Sequence, residues 1–214
     1  MNILSHILQN KIVAIIRGVD PKNVSLIIQA LLEGGIKTAE ITLNSENAFE
    51  LISELSEKLG DKVLIGAGTV LDAQSGELAI AHGARFIVSP SLNIELIRLV
   101  KQKKIVSIPG AFTATEIVTA YNAGADIVKV FPALSAQYIK DLRGPLFHIP
   151  LMPTGGINIH NIHEFRKAGA AAFGIGSSLV DARQQITGDS LGQLKERARQ
   201  FVMAVNNNPG QQEN

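Results

Sequence analysis

The sequence predicts an α/β fold, a (β/α)8 TIM barrel with a short N-terminal helix, and three observations carry that prediction. Short apolar runs recur eight times, with starts roughly 20–25 residues apart. The runs are continuous in Val, Ile and Leu rather than alternating, as expected of parallel strands covered on both faces. A glycine closes several of the intervening helix-like stretches just before the next run begins. Eight units in 214 residues leave about 27 residues each, the lower end of the size range for such barrels. An open doubly wound sheet has fewer strands and no fixed eightfold beat, so it fits less well.

The elements follow in order. Met1 to Ile16 is apolar, but it lacks a basic start and is interrupted by Gln9, Asn10 and Lys11, so it does not read as a signal peptide. The strand runs are VAIIR (13–17), TAEITL (38–43), VLIGAG (63–68), RFIVSP (85–90), IVSIPG (105–110), DIVKVFP (126–132), PLMPTGG (150–156) and AAFGIGS (171–177). Helical spacing appears between them, as in Val24, Ile27, Ile28, Leu31 and Leu32, and again in Ile94, Ile97, Leu99 and Val100. Asp20-Pro21, Asp72, and Thr113 with Glu116 three residues on are helix starts. Gly34-Gly35, Gly83-Ala84, Gly124-Ala125 and Gly169-Ala170 are helix ends. One domain is expected over residues 1–205, followed by a polar tail over 206–214 (NNNPGQQEN) that should fray.

Composition excludes several classes of function. There is no cysteine, so thiolate nucleophiles, disulfides and Cys-ligated metal sites are ruled out. A net charge of +1 gives no electrostatic case for nucleic acid or an anionic membrane as partner. No run of about 18 uncharged apolar residues occurs, so no transmembrane helix is expected and a cytoplasmic location is the default.

In such barrels the chemistry sits at the C-terminal ends of the strands. Lys129 lies inside the apolar run IVKVFP. Facing the barrel axis, it would be desolvated toward a neutral amine, the form that attacks a carbonyl. Facing outward, it would only run its stem across the strand–helix layer to a carboxylate. Glu40 shares a strand face with Thr42. With Lys129 it makes either a nucleophile and proton shuttle or a buried structural ion pair. PTGGIN (153–158) and GIGSS (174–178) place glycines after the last two strands, where backbone N–H groups commonly cradle phosphate; simple tight turns are the other reading. Ser177 or Ser178 can add a hydroxyl donor. Arg17, at the end of strand one, can pair with a carboxylate or phosphate, and Thr69 in GAGTV can offer its hydroxyl and N–H to the same anion. His160 and His163 have no third ligand nearby in sequence and read as solvated surface residues, so no metal is expected.

Taken together, these strings resemble the 2-keto-3-deoxy-6-phosphogluconate/4-hydroxy-2-oxoglutarate aldolases, class I enzymes that form a Schiff base on a (β/α)8 fold. The matching strings are VAIIRG, GGIKTAEITLNS, IGAGTVLDA, FIVSPSLN, IPGAFTATE, VKVFPA, MPTGGIN and GIGSSLV, in the family's order over about residues 8–205. The resemblance implies that Lys129 is the Schiff-base lysine and Glu40 the general acid/base. It further implies that Thr69 binds the pyruvate carboxylate and that Pro90 and Phe131 wall the pyruvyl pocket. Thr154, Gly155, Gly156 and Ser177 would then form the polar, phosphate-binding side. The implied activity is cleavage of a 2-keto-4-hydroxy acid to pyruvate and an aldehyde, with no cofactor, in a homotrimer.

Two departures from the family pattern bear on the substrate. Many members carry arginine four residues after the catalytic glutamate, where this chain has Asn44; Arg17 is the natural replacement. A sub-branch that includes 2-keto-3-deoxy-6-phosphogalactonate aldolases resembles this chain in IRG on strand one and LNS after strand two, which leaves the sugar stereochemistry open. The loop FPALSAQYIKD is about two residues shorter than the family's usual form, and it borders the phosphate end. Two other classes remain as alternatives: a phosphate-binding isomerase or epimerase on the same barrel, and a non-catalytic barrel that binds a keto acid.

Overall fold

The computed structural model describes residues 2–206, and the expected tail beyond Asn206 lies outside them. In chain order the elements are α1 (Ile3–Asn10), β1 (Ile12–Ile16), α2 (Pro21–Glu33), β2 (Thr38–Thr42), α3 (Ala48–Leu59), β3 (Leu64–Gly68), α4 (Ala73–Ala81), β4 (Phe86–Val88), α5 (Ile94–Gln102), β5 (Val106–Ile108), β6 (Gly110–Ala111), α6 (Ala114–Asn122), β7 (Val128–Val130), α7 (Ala136–Arg143), β8 (Leu151–Pro153), α8 (Ile162–Lys167), β9 (Phe173–Ile175) and α9 (Gly188–Asn206). The fifth apolar run is therefore two strand segments. Pro109 separates β5 from β6, because proline has no N–H to give to the ladder.

All strand pairs among these elements are parallel. One sheet runs β5-β4-β3-β2-β1-β9 and the other β6-β7-β8. Pro109 joins the two on one side, and the parallel bridge between Thr154 and Gly174 joins β8 to β9 on the other, which closes the ring. The register sets Glu40 between Ile15 and Gly66, and Lys129 between Gly110 and Met152.

Alternation sorts the strand residues into two apolar layers. Ala39, Ile41, Val128 and Val130 pack outward against helical residues such as Val24, Ile28 and Leu31. Val13, Leu64, Phe86, Val106, Ile127 and Met152 pack inward near the strand starts. Ile7 of α1, 1% exposed, joins that inner cluster, so the short N-terminal helix plugs the N-terminal end of the barrel. Burying a side chain of this size contributes roughly 1.5–3 kcal/mol.

The helix ends follow their local signals. Asp20 accepts from the Lys22 N–H ahead of Pro21, Asp72 accepts from the Ser75 N–H, and Thr113 with Glu116 makes a capping box. Gly35, Gly83, Gly124 and Gly169 all have φ between +95° and +110°, the left-handed backbone of a helix stop. The last helix, α9, returns to α2 through a Lys195–Glu33 ion pair at 2.7 Å.

Candidate active site

Lys129 is 3% exposed and points into the barrel, while its neighbours Val128 and Val130 belong to the outer layer. Its Nζ lies 5.3 Å from the centroid of the Phe131 ring, within cation–π range. Burial pushes the amine below the ordinary lysine range; the Glu40 charge opposes that shift and the Arg17 charge adds to it. Glu40 is 1% exposed, and its Oε1 is buried without a hydrogen-bond partner among the described residues. Burial pushes its carboxyl above the usual carboxylate range, against the pull of Lys129 and Arg17. The two groups thus share one desolvated interior that disfavours charge on either, partly offset by their attraction for each other, the environment in which an amine becomes nucleophilic and a carboxyl can carry a proton.

The carboxyl group sits where it does because Gly68 has no side chain. A Cβ at that position would stand 2.5 Å from the Glu40 Oε1 and 2.7 Å from its Cδ. The next residue, Thr69, has φ +55°, a strained backbone for a β-branched residue. In that conformation its Oγ1 accepts a 3.2 Å hydrogen bond from Arg17 Nη2. Arg17 itself is held at the strand end by the adjoining turn: Gly18 N–H donates to Ser45 Oγ at 2.9 Å, and Thr42 Oγ1 donates to the Ile16 carbonyl at 3.3 Å. Asn44 is exposed in that turn.

A cavity of about 570 Å3 opens at the C-terminal ends of the strands. Of the residues expected at the site, Arg17, Lys129, Phe131, Thr154, Gly155, Gly156 and Ser177 line it. Gly155 and Gly156 have φ +91° and +73°, so their turn requires glycine. Thr154 is 3% exposed and packs its Oγ1 against the backbone of Gly174, where a Cβ would collide with it. Ser177 and Ser178 are both exposed, but Ser178 Oγ is engaged with the Ile157 carbonyl at 2.6 Å. Glu40 and Thr69 do not line the cavity; they stand behind its Lys129 and Arg17 wall. Pro90 is also outside the lining, half-buried, with its carbonyl against Gly110. His160 is exposed and His163 half-buried at the start of α8, and no group of three or more His, Cys, Asp or Glu that could hold a metal occurs among the described residues.

Asp181 and Arg183, which sequence reasoning missed, also line the cavity. They sit in a loop past the last strand, with no periodicity or glycine to mark them.

A sequence model described as "Aldolase: KDPG and KHG aldolase" matches residues 3–194. The chain belongs to this family. It is therefore an aldolase, a lyase, acting on a small-molecule substrate. The aldolase is 36% identical over 196 residues to the 2-dehydro-3-deoxy-6-phosphogalactonate aldolase of Escherichia coli (strain K12), covering 90% of this chain and 93% of that one. It superposes on a structure described as native KDPGal with a TM-score of 0.85 at 35% identity, over 90% of this chain and 93% of that one. The KDPG aldolase of Legionella pneumophila, with pyruvate captured as a covalent carbinolamine, matches with a TM-score of 0.76 at 28% identity, over 91% and 93% of the two chains. The barrel architecture expected from the sequence is that of these enzymes. No helix among the described residues is long and apolar enough to cross a membrane.

Proposed function

We propose that the aldolase cleaves a 2-keto-3-deoxy-6-phospho sugar acid, or 4-hydroxy-2-oxoglutarate, through a Schiff base on Lys129. The products are pyruvate and an aldehyde, glyceraldehyde 3-phosphate or glyoxylate respectively. The observation that carries this reading is the pairing of one buried amine with one buried carboxyl inside the barrel, the amine opening onto the cavity.

The Lys129 Nζ attacks the C2 ketone to give a carbinolamine, and Glu40 moves the protons that let water leave as the protonated imine forms. Glu40 then takes the proton from the C4 hydroxyl. The C3–C4 bond breaks, its electron pair flows into the imine, and the aldehyde departs from an enamine. Protonation at C3 and attack of water on the resulting imine release pyruvate and restore the free amine. The protonated imine is the electron sink, so the chemistry asks for no metal or other cofactor. Arg17 and Thr69 orient the pyruvyl carboxylate and so decide which carbonyl meets the lysine. Phe131 flanks the pyruvyl end, with Pro90 standing outside the cavity lining, and Thr154, Gly155, Gly156 and Ser177 receive the phosphate end.

A second reading of the stereochemistry, galactonate rather than gluconate, is favoured by the likeness to the E. coli galactonate enzyme over nine-tenths of the chain. Relative kcat/KM on the two phosphorylated acids separates them. The chemistry itself is tested by borohydride reduction in the presence of pyruvate. The expected result is a pyruvyl adduct on the wild-type protein and none on Lys129→Ala. No wild-type adduct, as an epimerase or a non-covalent binding barrel would give, refutes the proposal. The cytoplasm as location and a homotrimer as the working assembly belong to the same reading.

A further inference from the structure

We infer that Arg183 is the residue by which this chain reads the phosphate of its substrate, exchanging Asp181 for the phosphate on binding. The inference rests on the proposed cleavage of a phosphorylated acid and assigns the cation at its far end. Three cations line the cavity: Arg17, Lys129 and Arg183. Lys129 is buried and committed to the carbonyl. Arg17 is bound to Thr69 on the wall in front of Glu40 and serves the carboxylate end. That leaves Arg183 in the rim that also carries Gly155, Gly156 and Ser177. The glycine turn offers only neutral N–H groups and Ser177 a single hydroxyl, which leaves a phosphate dianion without a counter-charge unless Arg183 supplies it.

The arginine is presented in a form ready for that exchange. Its Nε and Nη2 donate to the two carboxylate oxygens of Asp181 at 3.1 and 3.2 Å, so the guanidinium fork is already spread over two acceptors. The pair is solvent-facing, with the Arg183 side chain 90% exposed, and an exposed pair of this kind holds its partners weakly. Asp181 does not lose all its compensation when Arg183 leaves, because the Arg197 charge also acts on it. Arg197 is held in place by donating from Nη1 to the Leu179 carbonyl at 2.8 Å. A phosphate offers the same two-pronged geometry as Asp181 with more charge, so the fork transfers without rebuilding.

The test is the ratio of kcat/KM on 2-keto-3-deoxy-6-phosphogluconate to that on unphosphorylated 2-keto-3-deoxygluconate, measured on wild type and on Arg183→Gln, and repeated with the galactonate pair. The ratio is expected to fall by about tenfold or more in the variant, through KM on the phosphorylated acid. A ratio that stays at the wild-type value on both pairs overturns the role of Arg183. Borohydride trapping of pyruvate on both proteins keeps this separate from the Schiff-base proposal. Absence of the wild-type adduct refutes the Schiff base, whereas adducts on both proteins with an unchanged ratio refute only the arginine.

Discussion

A carboxyl and an amine buried in one barrel pull each other's titration in opposite directions to burial itself. Lys129 is lowered by desolvation, raised by Glu40 and lowered by Arg17. Only the neutral amine is trapped by pyruvate, so at saturating pyruvate the pH profile of trapping should rise with a midpoint below that of a free lysine, about 10.4. Removing the negative charge in Glu40→Gln should move the midpoint to lower pH, and removing the positive charge in Arg17→Gln should move it to higher pH. Shifts in the reverse order would mean that the three groups are not coupled as their placement requires. Glu40→Gln should also lower kcat by roughly 10²–10⁴, the usual worth of a positioned acid/base. Gly68 carries a related prediction. Its replacement by Ala puts a Cβ where the Glu40 carboxyl rests, so kcat should drop by roughly tenfold to a hundredfold with little change in KM; an unchanged kcat would show that the carboxyl position is immaterial. The residue pattern singled out Lys129 and Glu40 because a charged residue within an apolar run has so few favourable places to go, but left open whether they faced the barrel axis, and the structure buries both inside the barrel. Arg183 was not singled out, because an arginine in a polar loop looks like any other solvated side chain until the loop is seen over the cavity.

At the scale of elements, most boundaries were legible because the signals are local. Asp20, Asp72 and Thr113 cap helices through hydrogen bonds that span two or three residues, and glycines with positive φ stop them. The break of the fifth strand at Pro109 is also a local consequence, though a run of apolar residues hides it. The role of α1 was not legible. Its apolar face announces a helix that packs, but only the closed ring shows that Ile7 fills the barrel floor beside Val13, Leu64, Phe86 and Met152. Ile7→Ala should therefore cost about 2–5 kcal/mol in chemical denaturation, as a buried truncation rather than a surface change. A cost under about 0.5 kcal/mol would place α1 outside the core.

For the whole molecule, the ring of eight units leaves the surface as the place where assembly is decided. Leu71, Leu134 and Phe147 are 58%, 65% and 71% exposed, large apolar side chains of the kind that subunit contacts cover. The proposed homotrimer predicts a light-scattering mass three times the 22.9 kDa of the chain, and a monomer mass would refute it. The fold itself was readable from one dimension, because strand runs, helix faces, caps and stops depend on residues a few positions apart and repeat once per unit. Family membership was readable for the same reason, since the strand-end strings survive as short contiguous motifs. The meeting of Arg17, Glu40 and Lys129, the empty volume over Gly68 that admits a carboxyl, and the Asp181–Arg183 pair at the rim are different in kind. They join residues of neighbouring strands, of opposite sides of the ring or of an unpatterned loop, and only closure of the barrel, with its particular register, determines which of them come together.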